Sequence, residues 1–175
     1  ANYFLLLHIL ILFNKTQIDQ LFYKVYTMKF LLSFIVCLFL LFSAASAQVE
    51  WKYSAKKIAD KTYEVRITAT IQDGWHIYAQ KQPEGAIGLP TSITFQKNPL
   101  VSLVGKVQED GNLVIKTNEV LGGSQHEYHD SVVFVQKVKL KANVKTNIKG
   151  SVNFMVCDEH MCKPPATNNF DITLQ

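Results

Sequence analysis

The chain has 175 residues, of which 18% are charged and 48% hydrophobic, and its formal net charge is +4 at pH 7. Residues 48–175 hold 15 Lys and Arg against 13 Asp and Glu, so this part of the chain is close to neutral. A near-neutral surface gives no basis for nucleic-acid binding, which needs clustered positive charge. The length of 48–175 is typical of one domain.

The N-terminal part of the chain has the pattern of a targeting segment. Residues 28–47 consist of a basic Met-Lys start, a mainly apolar run and a small-residue Ala-Ser-Ala end. This three-part layout is that of a secretory signal peptide, and the apolar run is shorter than the roughly 20 residues that a membrane span needs. We therefore expect cleavage after Ala47 and export. We interpret residues 1–27 as an upstream extension of the gene model.

From residue 48 onward the sequence predicts β-structure nearly throughout. Apolar and polar residues alternate in several segments, and a period of two buries one face of a strand. The predicted strands are 62–71, 131–144, 151–157 and 170–174, with shorter candidates at 49–57, 75–80, 91–97, 101–107 and 113–117.

Turn residues separate these predicted strands. Asp73-Gly74 and Asp110-Gly111 are turn signals, because glycine adopts positive φ at little cost. Residues 81–90, rich in Pro and Gly, predict a loop, and 122–130 is interpreted as a polar loop. Many short strands with turns every 8–12 residues predict an all-β domain, an immunoglobulin-like β-sandwich over 48–175.

Cys157 and Cys162 form the chemically distinctive motif, VCDEHMCKPP at residues 156–165. In an oxidising compartment such a pair is normally a disulfide. Three interpretations stay open: a structural disulfide, a metal site or a working redox pair. Closing so short a loop stabilises the fold by only about 2 kcal/mol in the chain-entropy model, so stability is a weak reason for the pair.

A metal site would need histidines to join the two thiolates. The spacing of four residues between the cysteines is looser than is usual for zinc. His126 and His129 are three residues apart, so on a strand they would face opposite sides. We therefore expect neither a metal nor another cofactor.

The redox interpretation explains more of the motif. Cys157 ends a predicted strand and a polar tip follows, so both sulfurs are expected near the surface. The Pro-Pro pair after the second cysteine makes the exit from the loop stiff. Exposed disulfides are the labile type. His160 and Lys163 are candidates for lowering a thiol pKa, against two acidic neighbours that raise it.

The sequence also resembles a known family. Residues 152–174 resemble the C-terminal part of the N-terminal domain of the DsbD thiol:disulfide interchange family, in which a strand leads into a cysteine, a short polar loop, a second cysteine and x-Pro-Pro-x-Thr. Residues 73–80, DGWHIYAQ, resemble that domain's Asp-Gly-aromatic-aromatic-x-Tyr segment. Residues 119–130 lie where the family has its cap loop and following strand, and the similarity spans 49–174.

The resemblance implies a periplasmic immunoglobulin-like domain that is a thiol:disulfide oxidoreductase of the protein-disulfide reductase type. Electrons would come from a separate membrane electron-transfer protein. They would pass to thioredoxin-fold proteins through transient mixed disulfides, including disulfide isomerases and cytochrome c maturation factors. By resemblance Cys162 is the attacking thiolate and Cys157 the resolving one, and we expect a monomer. The alternative is a non-catalytic exported β-sandwich binding module with a structural disulfide.

The resemblance also assigns residues around the cysteines. Glu119, Val120 and Leu121 would lie in a cap loop that shields the disulfide until a partner opens it. His76 and Tyr78 match aromatic positions that line the site. The family cap carries an aromatic side chain over the sulfurs, whereas Val120 is smaller, so shielding by Leu121 is the other possibility.

Overall fold

The structure is a computed structural model that describes residues 23, 24, 26–30, 32, 47–118 and 123–175. The chain divides into two compact units, Ala1–Ser46 and Ala47–Gln175. The described residues of the first unit are helical. Within the described residues, no helix has the length and apolar character that a bilayer crossing requires.

The second unit is built from antiparallel β-strands. The strands in its described part are β1 Val49–Ala59, β2 Thr62–Ile71, β3 His76–Tyr78, β4 Ser92–Phe95, β5 Val101–Gly111, β6 Val114–Asn118, β7 Gly123–Tyr128, β8 Ser131–Leu140, β9 Thr146–Phe154, β10 Val156–Cys157 and β11 Ala166–Leu174.

These strands form three sheets. The first sheet has the order β1-β2-β8-β5, and a three-stranded sheet has the order β11-β9-β4. A second four-stranded sheet has the order β10-β3-β7-β6, and we call it the site sheet because it carries Cys157. The site sheet continues from the three-stranded sheet through Met155, which separates β9 from β10.

Alternation along the strands creates the core, as the sequence predicts. Every second residue of β2 and β8 is buried, and so is every second residue near the ends of β9 and β11. Burying each large apolar side chain contributes about 1.5–3 kcal/mol. The inward residues are Tyr63, Val65, Ile67, Ala69 and Ile71 of β2, Val132, Phe134, Gln136, Val138 and Leu140 of β8, Ile148, Val152 and Phe154 of β9, and Phe170, Ile172 and Leu174 of β11.

Aromatic contacts show how the first sheet packs on the three-stranded sheet. The Trp51 ring centroid on β1 lies 6.2 Å from that of Phe134 in its own sheet and 5.0 Å from that of Phe154 on β9. The Tyr53 ring centroid on β1 likewise lies 5.5 Å from that of Phe170 on β11, across the two sheets. Two sheets packed face to face over an apolar core are a β-sandwich. The predicted all-β, immunoglobulin-like class is therefore confirmed.

Two local predictions were wrong. Residues 123–128, interpreted as part of a polar loop, form β7, because pairing with β3 on one side and β6 on the other satisfies the backbone of this polar segment. Asp110-Gly111 is not a turn but the end of β5, paired with β8. Gly111 instead lets the backbone of β5 approach that of β8 closely, since an added Cβ would come within 2.9 Å of the Ser131 carbonyl oxygen. The turn at Gly74 is confirmed by its φ of +78°.

Candidate functional site

Strand register in the site sheet brings the chemically active side chains onto one face. Cys157 on β10 pairs with His76 on β3, and Tyr78, two residues further, pairs with Glu127 on β7. Residues two apart share a face and directly paired residues are neighbours, so these four side chains lie side by side. The intervening Ile77 points the other way and is fully buried in the core.

Cys157 and Cys162 form a disulfide across a tight turn, with an S–S distance of 2.02 Å. The Asp158 N–H donates to the Met161 carbonyl oxygen at 2.9 Å. Asp158 Oδ1 accepts the backbone N–H groups of His160 and Met161, each at 2.7 Å. These two hydrogen bonds lower the pKa of Asp158 below its ordinary value, so the carboxylate that holds the turn is ionised at neutral pH.

The prediction that both sulfurs lie near the surface is wrong for Cys157, because β10 pairs with β3 and neighbouring side chains of the site sheet enclose this residue. The two cysteines therefore differ in accessibility. Cys157 is 1% exposed, whereas Cys162 is exposed. The Lys163 N–H donates to the Val156 carbonyl oxygen at 2.9 Å, which holds the segment after Cys162 beside β10. Among the described residues, Cys162 is therefore the cysteine that a protein thiolate approaching from solvent meets, and Cys157 is enclosed.

Buried polar groups surround the Cys157 sulfur. The Tyr78 hydroxyl donates to Cys157 Sγ at 3.3 Å, and His76 Nε2 lies 3.4 Å from the Tyr78 oxygen. Burial, followed by the charge of Glu127, raises the pKa of Tyr78, so the phenol stays a donor at neutral pH. Burial lowers the pKa of His76, while Glu127 opposes this shift.

The loop at 81–90 and the residue that follows it cover Tyr78. A Cβ added to Gly88 would lie 2.2 Å from two atoms of the Tyr78 ring, so only glycine leaves room for this ring position. Thr91 Oγ1 donates to the Tyr78 carbonyl oxygen at 2.6 Å. The predicted loop is confirmed by the absence of strand or helix over these described residues, and it also fixes a site side chain.

Glu127 is a site residue that the sequence did not reveal. It is 2% exposed, its Oε1 lies 3.6 Å from His76 Nε2, and its Oε2 lies 3.2 Å from His129 Nε2. Oε2 has no well-aligned hydrogen bond among the described residues, but the distance to His129 is that of an ion pair. Because Glu127 and Tyr128 are both buried, alternation within β7 gives no signal for Glu127.

The remaining predicted site residues lie further from the sulfurs or outside the described part. His160 is at the exposed turn tip. Lys163 Nζ lies 5.1 Å from the centroid of the Trp75 ring and contacts Gln48 Oε1. Thiol tuning by His160 and Lys163 stays a prediction. The cap residues Glu119, Val120 and Leu121 lie outside the described residues.

A cleft of about 300 Å³ lies beside the polar groups next to the disulfide, and its lining includes His76, Tyr78, Glu127, Lys116 and Asp158. Within residues 47–118 and 123–175, no three His, Cys, Asp or Glu side chains are grouped to hold a metal ion.

Fold and site together define an antiparallel β-sandwich with a disulfide at the edge of one sheet, one sulfur open to solvent and the other buried among polar groups. The chain belongs to the family described as thiol:disulfide interchange protein DsbD, N-terminal, whose profile matches residues 44–174. Membership gives thiol:disulfide interchange as the general activity. A sequence comparison with curated proteins found no match.

Solved structures of three other domains are similar to this chain. The N-terminal periplasmic domain of ScsB from Proteus mirabilis is 16% identical, with 75% of this chain and 47% of that chain covered and a TM-score of 0.50, which supports the shared fold. The reduced DsbD N-terminal domain of Neisseria meningitidis is 21% identical over 72% of this chain and 85% of that chain, with a TM-score of 0.47. A structure of the complex between the DsbD N-terminal and PilB N-terminal domains of the same organism is 20% identical. The match covers 70% of this chain and 80% of that chain, with a TM-score of 0.47.

Proposed function

We propose that residues 48–175 are an exported domain that relays electrons from a membrane electron-transfer partner to oxidised thioredoxin-fold proteins through Cys157 and Cys162. The observation that carries this proposal is the difference between the sulfurs: Cys162 is exposed and Cys157 is 1% exposed. A relay needs one sulfur that a partner can reach and a second, protected one that waits to release the partner.

The exchange follows from that difference. In the reduced domain, the Cys162 thiolate attacks a sulfur of the partner's disulfide, which forms a mixed disulfide and frees one partner thiolate. Cys157 then attacks Cys162 Sγ, the mixed disulfide breaks, and the partner leaves with both electrons as a dithiol. The membrane protein restores the dithiol by the reverse sequence, in which its thiolate attacks the exposed Cys162 and Cys157 leaves.

The cellular setting of this proposal rests on sequence and relatives. The signal-peptide pattern of residues 28–47 supports export to the periplasm with cleavage after Ala47. The related ScsB domain is periplasmic, and a related DsbD domain forms a complex with a PilB domain, which supports a protein partner for this chain. Cytochrome c maturation factors are among the proposed electron acceptors. The domain acts as a monomer. Glu119, Val120 and Leu121 act as the cap that shields the disulfide.

Trapping variants test the proposal. Reduced Cys157→Ser protein mixed with an oxidised thioredoxin-fold protein should accumulate a mixed disulfide through Cys162, visible as a mass shift on non-reducing gels that dithiothreitol removes. Cys162→Ser is the matched control and should accumulate little, because its remaining thiol is buried. If neither variant traps the partner, the pair is a structural disulfide of a binding module. If both trap it equally, the assignment of Cys162 as the attacking thiol is wrong.

A further inference from the structure

We propose that Glu127 is a positioning residue for thiol:disulfide exchange: together with Tyr78 and His76 it forms a path that takes the proton of Cys157 when this thiol resolves a mixed disulfide. The inference rests on the proposed function and deepens it, since it concerns the second of the two exchange steps.

The path is a continuous series of short contacts. Cys157 Sγ is 3.3 Å from the Tyr78 hydroxyl oxygen, which is 3.4 Å from His76 Nε2. The same His76 nitrogen is 3.6 Å from Glu127 Oε1, and Glu127 Oε2 is 3.2 Å from His129 Nε2. Cross-strand pairing of β10, β3 and β7 sets these positions, so the series is part of the backbone register.

Resolution by Cys157 needs such a path because the thiol is buried. A thiolate is the attacking species, and burial away from water disfavours its formation. Cys157 is 1% exposed, so bulk solvent has little access to its proton. An internal acceptor within hydrogen-bond reach removes this difficulty. In the disulfide the Tyr78 hydroxyl donates to Cys157 Sγ; in the reduced domain the same contact lets the Tyr78 oxygen accept from the thiol while its own hydrogen turns toward His76.

His76 has the properties of that acceptor. Burial lowers its pKa below the ordinary value, so the ring is neutral at pH 7 and one ring nitrogen is free to take a proton. Among the charged groups around it, Glu127 acts most strongly and favours the imidazolium. His129 and Lys116 disfavour the imidazolium, and Asp158 favours it weakly. Glu127 is thus the main electrostatic support for a transient charge on His76.

The step balances in protons and electrons. The Cys157 thiol gives its proton to the Tyr78 oxygen while the Tyr78 hydroxyl proton moves to His76 Nε2, where the Glu127 carboxylate faces the new imidazolium. The Cys157 thiolate then bonds to Cys162 Sγ, and the bond from Cys162 to the partner breaks. The partner sulfur departs as a thiolate with the electron pair, and His76 later returns its proton to solvent through the cleft.

A small-molecule disulfide separates the two steps experimentally. Reduced protein reacted with 5,5′-dithiobis(2-nitrobenzoate) should release one thionitrobenzoate when Cys162 attacks and a second when Cys157 resolves. In Glu127→Gln, which keeps the side-chain shape and removes the charge, we expect the second release at pH 7 to slow roughly tenfold or more, within the range of general acid–base effects. The first release should keep its rate. Glu84→Gln, the same change on the exposed part of loop 81–90, should alter neither step.

The pH profile adds a readout that a merely structural role would not move. With the path intact, the rate of the second release should become independent of pH above the lowered pKa of His76. The plateau should therefore begin at or below neutral pH. In Glu127→Gln the rate of the second release should instead keep rising beyond about pH 8.5, the pKa of an ordinary thiol, because burial disfavours the Cys157 thiolate. Tyr78→Phe, which keeps the ring against Gly88, should slow the second release similarly, and the double variant should slow it little further because both residues act in one path.

The outcomes distinguish this inference from the proposed function. Native rates and a native pH profile in both Glu127→Gln and Tyr78→Phe would overturn the proton path even if Cys157→Ser traps a thioredoxin-fold partner. Conversely, a slowed second release without any trapped partner would support the path and contradict the relay to thioredoxin-fold proteins. If Glu127→Gln does not fold, the result for Tyr78→Phe decides.

Discussion

The first sheet and the site sheet use their two faces differently. In β2 and β8 of the first sheet, one face is buried and apolar except for Gln136, and the residues between point to the other, more exposed face. In β3 of the site sheet, all three residues are buried, although His76 and Tyr78 lie on the face opposite to Ile77. The site sheet therefore has a core face and a second face where buried groups are polar.

This difference shows where stability and chemistry lie in the domain. An apolar face contributes free energy of folding and tolerates no polar group without a partner. The polar face of the site sheet keeps its groups in mutual contact, from Cys157 through Tyr78 and His76 to Glu127. Changes in the first sheet should therefore affect folding, whereas changes on the polar face should affect exchange.

The largest expected effect on stability comes from the first sheet. Phe134→Ala removes a ring that is fully buried and lies beside Trp51. We expect the free energy of unfolding, measured by urea denaturation of the oxidised protein, to fall by about 3–5 kcal/mol. Below the denaturation transition, the rate at which reduced Cys162 reacts with a thiol reagent should stay native. A large change in that rate would show that the two sheets are not separable.

A substitution at Gly88 is expected to have a smaller effect on stability and also to slow thiol:disulfide exchange. Gly88→Ala places a methyl group 2.2 Å from the Tyr78 ring, so the ring or the loop must move. We expect a loss of about 1–3 kcal/mol in unfolding free energy. We also expect slower resolution by Cys157, because Tyr78 leaves the sulfur.

Gly123→Ala is the matched control, since its added Cβ would approach no closer than 3.5 Å to the Gly85 oxygen. It should change the unfolding free energy by less than about 0.5 kcal/mol. Equal effects of the two substitutions would contradict a specific role for the contact between Gly88 and Tyr78.

Local patterns explain which parts of the fold the sequence predicts. The inward faces of β2 and β8 follow from alternation, because each strand has one apolar face. Alternation misses β7 because its six residues, GSQHEY, are mostly polar and only cross-strand pairing makes them a strand. The family resemblance, in contrast, implies a strand after the cap loop. The end of β5 was missed because Asp-Gly is a turn signal in isolation, and pairing with β8 overrides it.

The site likewise has features that local sequence predicts and features that only strand pairing creates. The cysteine pair and the aromatic positions His76 and Tyr78 are visible in short segments of sequence. The contact between His76 and Glu127 joins residues more than fifty positions apart through strand register, and nothing local encodes that pairing. The accessibility of each sulfur likewise follows from how the turn sits on the site sheet.

The reduction potential of the Cys157–Cys162 pair tests the central claim most directly. It is measured by equilibrating the protein with thioredoxin and glutathione buffers, alkylating the free thiols and reading the oxidised fraction by mass. An electron relay predicts a potential between about −180 and −270 mV, the range of thioredoxin-like couples. A potential below about −300 mV, typical of structural disulfides, would contradict the account.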